Sequence, residues 1–296
     1  FNYYAALPYY VAAALHLAGL SVITAIKVTQ LLGFVIGGLS AYGLARALKL
    51  GRPAAVAAAG FFTAAPFHLV NVYVRGDSLS EFWAMGLVVT CLWAIALLRS
   101  RRGLGAPIML ATSYAALVLS HNITALLASP FVVLLVSVTA WHSGCRWRAV
   151  ILGTGALVLG LVLSAWFWGP ALFEQDLVQL GQQTTGYFDF HGHFRGLNLV
   201  QPRLIFDYAI TEQADPFRMG LVEAVLVLLG LVAGVVTARA SHLRWVWLAY
   251  TASVVLVTLL ITPLSLQLWE SIPLLPFAQF PWRFLGLQAA LAQIGQ

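Results

Sequence analysis

A short polar stretch separates two long apolar runs in the first third of the chain: Asn71-Val72-Tyr73-Val74-Arg75-Gly76-Asp77-Ser78-Leu79-Ser80-Glu81. It places one cation and two carboxylates, Arg75, Asp77 and Glu81, beside segments that carry almost no other charge. Charged groups next to a bilayer must be paired, hydrated or used in function. We therefore interpret this stretch as a candidate functional site. The alternative is an ordinary solvated loop in which Arg75 and Asp77 pair with each other.

The composition identifies a membrane protein. Hydrophobic residues make up 61% of the chain and charged residues only 9%, whereas about a quarter of the residues of a soluble domain are charged. The net charge of +6 is spread through short loops instead of being clustered on one water-facing surface. A nucleic-acid-binding protein needs such a cluster, so we predict no nucleic-acid partner. We expect an all-α, polytopic transmembrane helix bundle.

The apolar runs give the expected number of membrane spans. Eight runs are long enough to cross about 30 Å of hydrocarbon, and a ninth begins near residue 282 and is cut short by the end of the chain. The chain also opens without Met or a charged leader. We therefore expect one integral membrane domain, 1–296, truncated at both ends. The eight runs are 24–47, 53–72, 82–98, 106–120, 123–141, 149–168, 219–238 and 245–262.

The charges between the runs predict the orientation. The connections at 46–52, 99–102, 142–148 and 239–244 contain ten of the 16 Lys and Arg residues and no acid. By the positive-inside rule these connections lie in the cytoplasm. All ten acids then lie on or near the opposite side, and the protein is a multi-pass protein of the cell (inner) membrane.

The same orientation leaves residues 1–23 outside, where their Tyr side chains among Ala and Leu suit an interfacial helix. The one long non-membrane segment, 169–218, is also placed outside. Long loops of this kind are usually functional or disordered. Its many aromatic side chains favour a folded extracytoplasmic cap.

Other polar groups are predicted to join the 71–81 stretch at the outer face. Ser120-His121-Asn122 follows a short apolar run, so His121 and Asn122 are candidate substrate-binding residues; the alternative is that Asn122 begins the next helix and His121 bonds a carbonyl. Arg283 follows Phe280-Pro281-Trp282 at the mouth of the last run. Its guanidinium is shaped for a bidentate bond to a lipid phosphate, and the alternative is an interfacial Trp and Arg anchor. Glu174, at the start of the long outer segment, completes the substrate-binding candidates.

No motif predicts a metal or nucleotide site. His191-Gly192-His193 has no Cys, Asp or Glu at ligand spacing, so we assign no metal ligands. The sequence contains no P-loop, GxGxxG, HExxH or GxSxG motif. The cofactor stays undecided, with a divalent metal as one option.

Four segments resemble the bacterial membrane family labelled "6-pyruvoyl-tetrahydropterin synthase-related". They are Phe1-Asn2-Tyr3-Tyr4-Ala5-Ala6-Leu7-Pro8-Tyr9-Tyr10, the Tyr73 to Glu81 loop, Ser120-His121-Asn122-Ile123-Thr124 and Phe280-Pro281-Trp282-Arg283-Phe284. The similarity runs from end to end of the chain. Nothing in the sequence resembles the soluble pterin enzyme or its three-His zinc site, so pterin chemistry is not predicted.

The family is in turn similar to the polytopic glycosyltransferases that use polyprenyl-phosphate sugars (the GT-C-like and YfhO-type membrane proteins). This resemblance implies a donor whose sugar faces the outside and whose tail stays among membrane lipids. That class usually places its principal catalytic carboxylate in the first outer loop, which would precede Phe1.

We therefore predict a membrane glycosyltransferase that moves a sugar from a polyprenyl-phosphate carrier to an extracytoplasmic acceptor. Asp77 and Glu81 are its candidate catalytic residues, and they would share one helical face if a helix begins near Ser78. Arg75 is a substrate-binding candidate beside them. Asp77 has the alternative role of helix N-cap. The alternative functions are a non-catalytic flippase or transporter of lipid-linked sugars, and a module without activity. The spans carry almost no charge at their centres, which favours chemistry at a surface over transport.

Overall fold

The computed structural model describes residues 4–76, 78–100, 103–143, 146–174, 177, 184–211 and 215–292. These residues form an all-α bundle, as predicted. Two short strands, β1 (Val200–Gln201) and β2 (Met219–Gly220), form a parallel pair. The helices are α1 (Leu7–Leu17), α2 (Val22–Ala47), α3 (Arg52–Thr63), α4 (Pro66–Tyr73), α5 (Leu79–Ser100), α6 (Gly105–Ser120), α7 (Asn122–Trp141), α8 (Arg146–Leu163), α9 (Ala165–Phe173), α10 (Leu221–Ala240), α11 (Arg244–Leu260), α12 (Leu266–Ser271) and α13 (Phe284–Ala292).

Helix α5 lies at the centre of the bundle. Of its most apolar window 78% is buried inside the protein, against 22% for α2, α8 and α10. The outer faces of α2, α8 and α10 expose large apolar side chains, which is the expected pattern for helices that contact lipid. The central position of α5 matters for function, because the first turn of this helix contains Glu81.

The packing of α5 against α2 depends on glycines. A Cβ atom at Gly86 of α5 would lie 3.2 Å from the Cα and 3.3 Å from the N of Gly37 in α2. Small residues allow transmembrane helices to approach closely and gain van der Waals contact. The two backbones are therefore in direct contact at this crossing.

We expect Gly86→Ala to destabilise the protein by about 1–3 kcal/mol, because the added methyl group meets backbone that cannot move aside easily. Gly60→Ala in α3 is the matched control, since a Cβ at Gly60 meets nothing within 4 Å. That substitution should raise stability by about 0.5–1 kcal/mol. Thermal unfolding of both variants in detergent measures the difference, and equal stabilities would show that the α2–α5 crossing tolerates a wider spacing.

The predicted count of eight full spans and a truncated ninth is wrong. Five helices are long and apolar enough to cross a membrane, and the number rises to seven if each of two bent helix pairs forms one span. The five are α2, α5, α7, α8 and α10, and the bent pairs are α3 with α4 and α11 with residues Pro263–Ser271. Only described residues enter this count.

Prolines account for part of the difference. The predicted run 53–72 is broken at Ala64 and Ala65, where α3 and α4 meet at 43°. Pro66 has no N–H to continue the helix. The carbonyl of Phe62, four residues before Pro66, instead accepts a hydrogen bond from the N–H of Ala65 at 3.2 Å. The same carbonyl oxygen lies 3.1 Å from Nδ1 of buried His68, within hydrogen-bond distance.

The other differences from the predicted number of spans lie in α6, α11 and α13. Helix α6 has 16 residues, about 24 Å at 1.5 Å per residue, which is short of the ~30 Å hydrocarbon layer. After α11 the chain turns by 98° into Pro263–Ser271. The predicted ninth run corresponds to α13, whose nine described residues are all buried. The predicted run 149–168 divides into α8 and α9, so the long segment after it begins beyond Phe173.

Candidate functional site

The turn between α4 and α5 contains an ion pair. Arg75 Nη1 donates to Glu81 Oε2 and to Asn71 Oδ1 at 2.8 Å. The side chain of Glu81 is 3% exposed and that of Arg75 is 21% exposed. Gly76 has a φ of +52°, a conformation that glycine adopts without steric cost. This turn brings Arg75 back against the first turn of α5.

Aromatic rings support Arg75 from the side of α13. Its guanidinium carbon lies 5.5 Å from the centre of the Trp282 ring, within cation–π range. Trp282 is stacked on Phe217 at 4.2 Å and on Phe280 at 4.8 Å. Because Trp282 is only 5% exposed, the structure does not place it as an anchor in lipid headgroups. Its ring supports the guanidinium.

His121 caps α7 and belongs to the same electrostatic group. The backbone N–H of Thr124 donates to His121 Nδ1 at 3.2 Å. A neutral imidazole that accepts at Nδ1 has its hydrogen on Nε2. Burial lowers the pKa of His121 to about 4, against an upward effect of Glu81 and downward effects of Arg283 and Arg75. The ring is therefore neutral at pH 7 and has one N–H available.

Arg283 approaches the same carboxylate from the start of α13. Its Nη1 donates to the carbonyl of Ala278 at 2.9 Å and to Gln279 Oε1 at 3.3 Å. Gln279 has a φ of +65°, so the turn that positions Arg283 contains a non-glycine residue in the left-handed region. Burial lowers the pKa of the Arg283 guanidinium and Glu81 raises it. The buried Nε of Arg283 has no hydrogen-bond partner among the described residues.

The segment before α1 interacts with the same group of side chains. Ser80 Oγ donates to the carbonyl of Ala5 at 3.1 Å, and Tyr4 interacts electrostatically with Arg283. Parts of all four segments that support the family resemblance therefore meet at one end of the bundle. We call Arg75, Glu81, His121 and Arg283 the Glu81 cluster.

The Glu81 cluster has an excess of positive charge. Two guanidinium groups and a neutral imidazole face a single carboxylate among the described residues, which leaves a net charge of about +1 at neutral pH. Charged groups without a counter-charge are costly when they are shielded from water. Such a site favours an anion.

The remaining predicted site residues have different outcomes. Asp77 lies outside the described residues. Helix α5 begins at Leu79, so within the described chain only Glu81 of the predicted pair lies on it. Asn122 is the exposed first residue of α7, while His121 makes the cap bond. Glu174 is exposed at the C-cap of α9, where its N–H donates to the carbonyl of Pro170 at 2.9 Å.

Sequence reasoning missed two partners of Arg75. Asn71 lies four residues before Arg75, and that spacing on a helix predicts contact. Trp282 is adjacent to Arg283, and nothing in the sequence indicates that its ring faces Arg75. The predicted alternative pairs Arg75 with Asp77, which lies outside the described residues. The observed partner of Arg75 is Glu81.

The two histidines of 191–193 lie in the cap. His191 Nδ1 lies 2.6 Å from Asp189 Oδ1, and its Nε2 lies 3.6 Å from Glu270 Oε1. His193 Nε2 lies 2.7 Å from the carbonyl oxygen of Tyr187. Across the described ranges no three His, Cys, Asp or Glu side chains are grouped so that they could hold a metal ion.

The bundle and its terminal charge cluster define a multi-pass helical membrane protein with a polar site at one end. The chain belongs to the family described as "6-pyruvoyl-tetrahydropterin synthase related domain; membrane protein", whose family model matches residues 1–294. No curated protein and no solved structure matches the chain significantly.

Proposed function

We propose that this protein is a membrane glycosyltransferase that moves a sugar from a polyprenyl-phosphate carrier to an acceptor at the extracytoplasmic face. The observation that supports it most is the pair of guanidinium groups, Arg75 and Arg283, held beside one carboxylate, with Nε of Arg283 unpartnered among the described residues. Guanidinium groups bind phosphate through paired, charge-assisted hydrogen bonds. The position of the cluster, at the end of an apolar bundle, suits a phosphate whose hydrocarbon tail stays in the bilayer.

In this proposal the arginines stabilise the leaving group. The acceptor hydroxyl oxygen attacks the anomeric carbon of the sugar, and the bond from that carbon to the phosphate oxygen breaks. The lipid phosphate departs with the electron pair of that bond, and Arg75 and Arg283 stabilise its added negative charge. The Nε2–H of His121 can donate one further hydrogen bond to a phosphate or sugar oxygen.

The proton of the acceptor hydroxyl needs a carboxylate base. The Glu81 carboxylate already accepts from Arg75, so we assign Glu81 to positioning the guanidinium that binds phosphate. Asp77, two residues before α5, is the proposed base. The proposal assigns the phosphate charge to the two arginines, whose guanidinium groups bind phosphate through charge-assisted hydrogen bonds.

We further propose that the Glu81 cluster marks the outer face. Residues 1–23 and 169–218 then lie on that side, as an interfacial helix and a cap. Contacts of the cap support this arrangement, because His193 and Tyr187 pack on Phe280 at 4.7 and 5.8 Å. The cap therefore covers the segment that leads into Arg283.

Arg283→Lys is expected to weaken binding of a polyprenyl monophosphate by about 10-fold or more, because Lys cannot reproduce the bidentate fork and a hydrogen bond to a charged group contributes about 1.5–3 kcal/mol. Binding to the protein in nanodiscs measures this effect. The corresponding polyprenyl alcohol, which has no phosphate, should bind equally to wild type and variant.

Arg203→Lys is the matched control, since Arg203 is 70% exposed in the cap and pairs with Asp207 at 2.9 Å. It should leave both affinities unchanged. Equal affinity of wild type and Arg283→Lys for the polyprenyl phosphate, with the fold intact, would remove Arg283 from the phosphate site and overturn the proposal in this form.

A further inference from the structure

A second group of basic side chains lies where α2, α5, α7 and α10 end and α11 begins. A cavity of about 250 Å³ opens there, lined by Lys49, Arg99 and His242 among other residues. We call it the basic cavity. None of the ion pairs between described residues involves these three side chains. Among the described residues no acid lines the basic cavity.

Two buried residues that carry hydroxyl groups, Thr139 and Tyr250, also line the basic cavity. Thr139 is 3% exposed and Tyr250 is 4% exposed. A hydroxyl group can donate one hydrogen bond and accept others. Thr139 and Tyr250 therefore add polar groups to the lining of the basic cavity.

Lys49 is held in an unfavourable backbone conformation. Its φ is +70°, at the position after the α2 C-cap where glycine is the usual residue. A non-glycine residue in the left-handed region costs about 1–2 kcal/mol. Strain of this kind is typical of functional positions. The strained position therefore makes the Lys49 ammonium group a candidate for function.

Neutralisation of helix C-termini does not account for these cations. Cations near the ends of helices can bond the last free carbonyls. Arg46 Nη1 instead donates to the carbonyl of Leu50, which lies after the end of α2. Lys49 and Arg99 make no such bond to a described residue. The Lys49 ammonium and the Arg99 guanidinium group suit a ligand that supplies negative charge and several acceptor oxygens.

We propose that the basic cavity binds the phosphate group of an anionic membrane lipid. Its volume is below the ~300–1,000 Å³ of sites that enclose a whole small ligand, so it suits a headgroup whose tails remain outside. Exposed apolar side chains flank it on α10 and α11, including Val236 and Leu248. Basic pockets between transmembrane helices bind anionic headgroups in this way. The proposal does not depend on the glycosyltransferase assignment.

Lys49→Gly tests the proposal sharply, because glycine fits a φ of +70° without strain and removes the Lys49 side chain together with its ammonium group. The protein in phosphatidylcholine nanodiscs is titrated with short-chain phosphatidylglycerol, and bound lipid is counted by native mass spectrometry. We expect Lys49→Gly to weaken binding about 10-fold, the loss of one charged hydrogen bond, while its thermal stability without phosphatidylglycerol stays equal or rises. Arg99→Gln should weaken binding similarly.

Arg46→Gln is the matched control, since Arg46 is exposed like Lys49 and belongs to the same helix end, but it does not line the basic cavity and already donates to Leu50. It should bind phosphatidylglycerol as wild type does. Inorganic phosphate forms a separate arm: saturation by phosphate with no gain from the lipid would overturn the lipid assignment. Equal binding by wild type and Lys49→Gly would overturn the site itself.

Discussion

Replacing Glu81 with Gln is expected to lower the free energy of unfolding by about 3 kcal/mol. The substitution removes the counter-charge that Arg75 has among the described residues and leaves it next to a second cation, Arg283. Removing one partner of a buried ion pair typically costs about 3–5 kcal/mol. We expect the lower end of that range because Arg75 is still 21% exposed. Thermal and denaturant unfolding in detergent measure the change.

A double-mutant cycle separates the ion pair from other losses. Arg75→Gln combined with Glu81→Gln should cost less than the sum of the two single changes, because neither charge is then left alone. Asp207→Asn is the control: it removes an exposed pair with Arg203 and should cost at most about 1 kcal/mol. Additive costs for Arg75 and Glu81 would show that the two side chains are not coupled.

Hydrophobicity alone predicted the fold class and most of the helices. The run 24–47 corresponds to α2, at Val22–Ala47, and the run 123–141 to α7, at Asn122–Trp141. In a bilayer the backbone must bond within its own segment, so a long apolar run has little alternative to a helix. Helix identity is for this reason a local property of the sequence.

The number of spans could not be read from the same runs. Pro66 lies inside the run 53–72, and proline removes a helical hydrogen bond, so a break was foreseeable there. Whether a broken pair still crosses the membrane depends on the bend, which is 43° for α3 and α4 and 98° after α11. The hydrophobicity of the runs does not specify those angles.

The residues of the candidate site were also only partly predictable from the sequence. Arg75 and Glu81 belong to one short stretch, so the sequence indicated that they lie near each other. His121 and Arg283 were predicted only to lie on the same side of the membrane. Their approach to Glu81 depends on how α7 and α13 pack around α5. No pattern in the sequence identifies Trp282 as the ring beneath Arg75.

Asp77→Asn is expected to reduce sugar transfer by about 100-fold or more. A positioned general base contributes about 10²–10⁴-fold to a rate, and the amide keeps the size and hydrogen-bonding groups of the acid while removing its charge. Because Arg75 occupies the Glu81 carboxylate, Asp77 is the acid of this stretch proposed to accept the proton. Turnover of a polyprenyl-phosphate sugar by the protein in nanodiscs measures the effect.

The thermal stability of Asp77→Asn decides between a base and a helix cap. Asn caps a helix about as well as Asp, so a capping role predicts normal stability and normal turnover. A base predicts normal stability with turnover lost. Glu81→Gln differs from both, since it should lose stability as well. Asp189→Asn, which removes an exposed cap carboxylate beside His191, should transfer sugar at the normal rate. Near-normal turnover of Asp77→Asn would leave the 71–81 stretch as a scaffold for Arg75 and would remove the base from the proposed reaction.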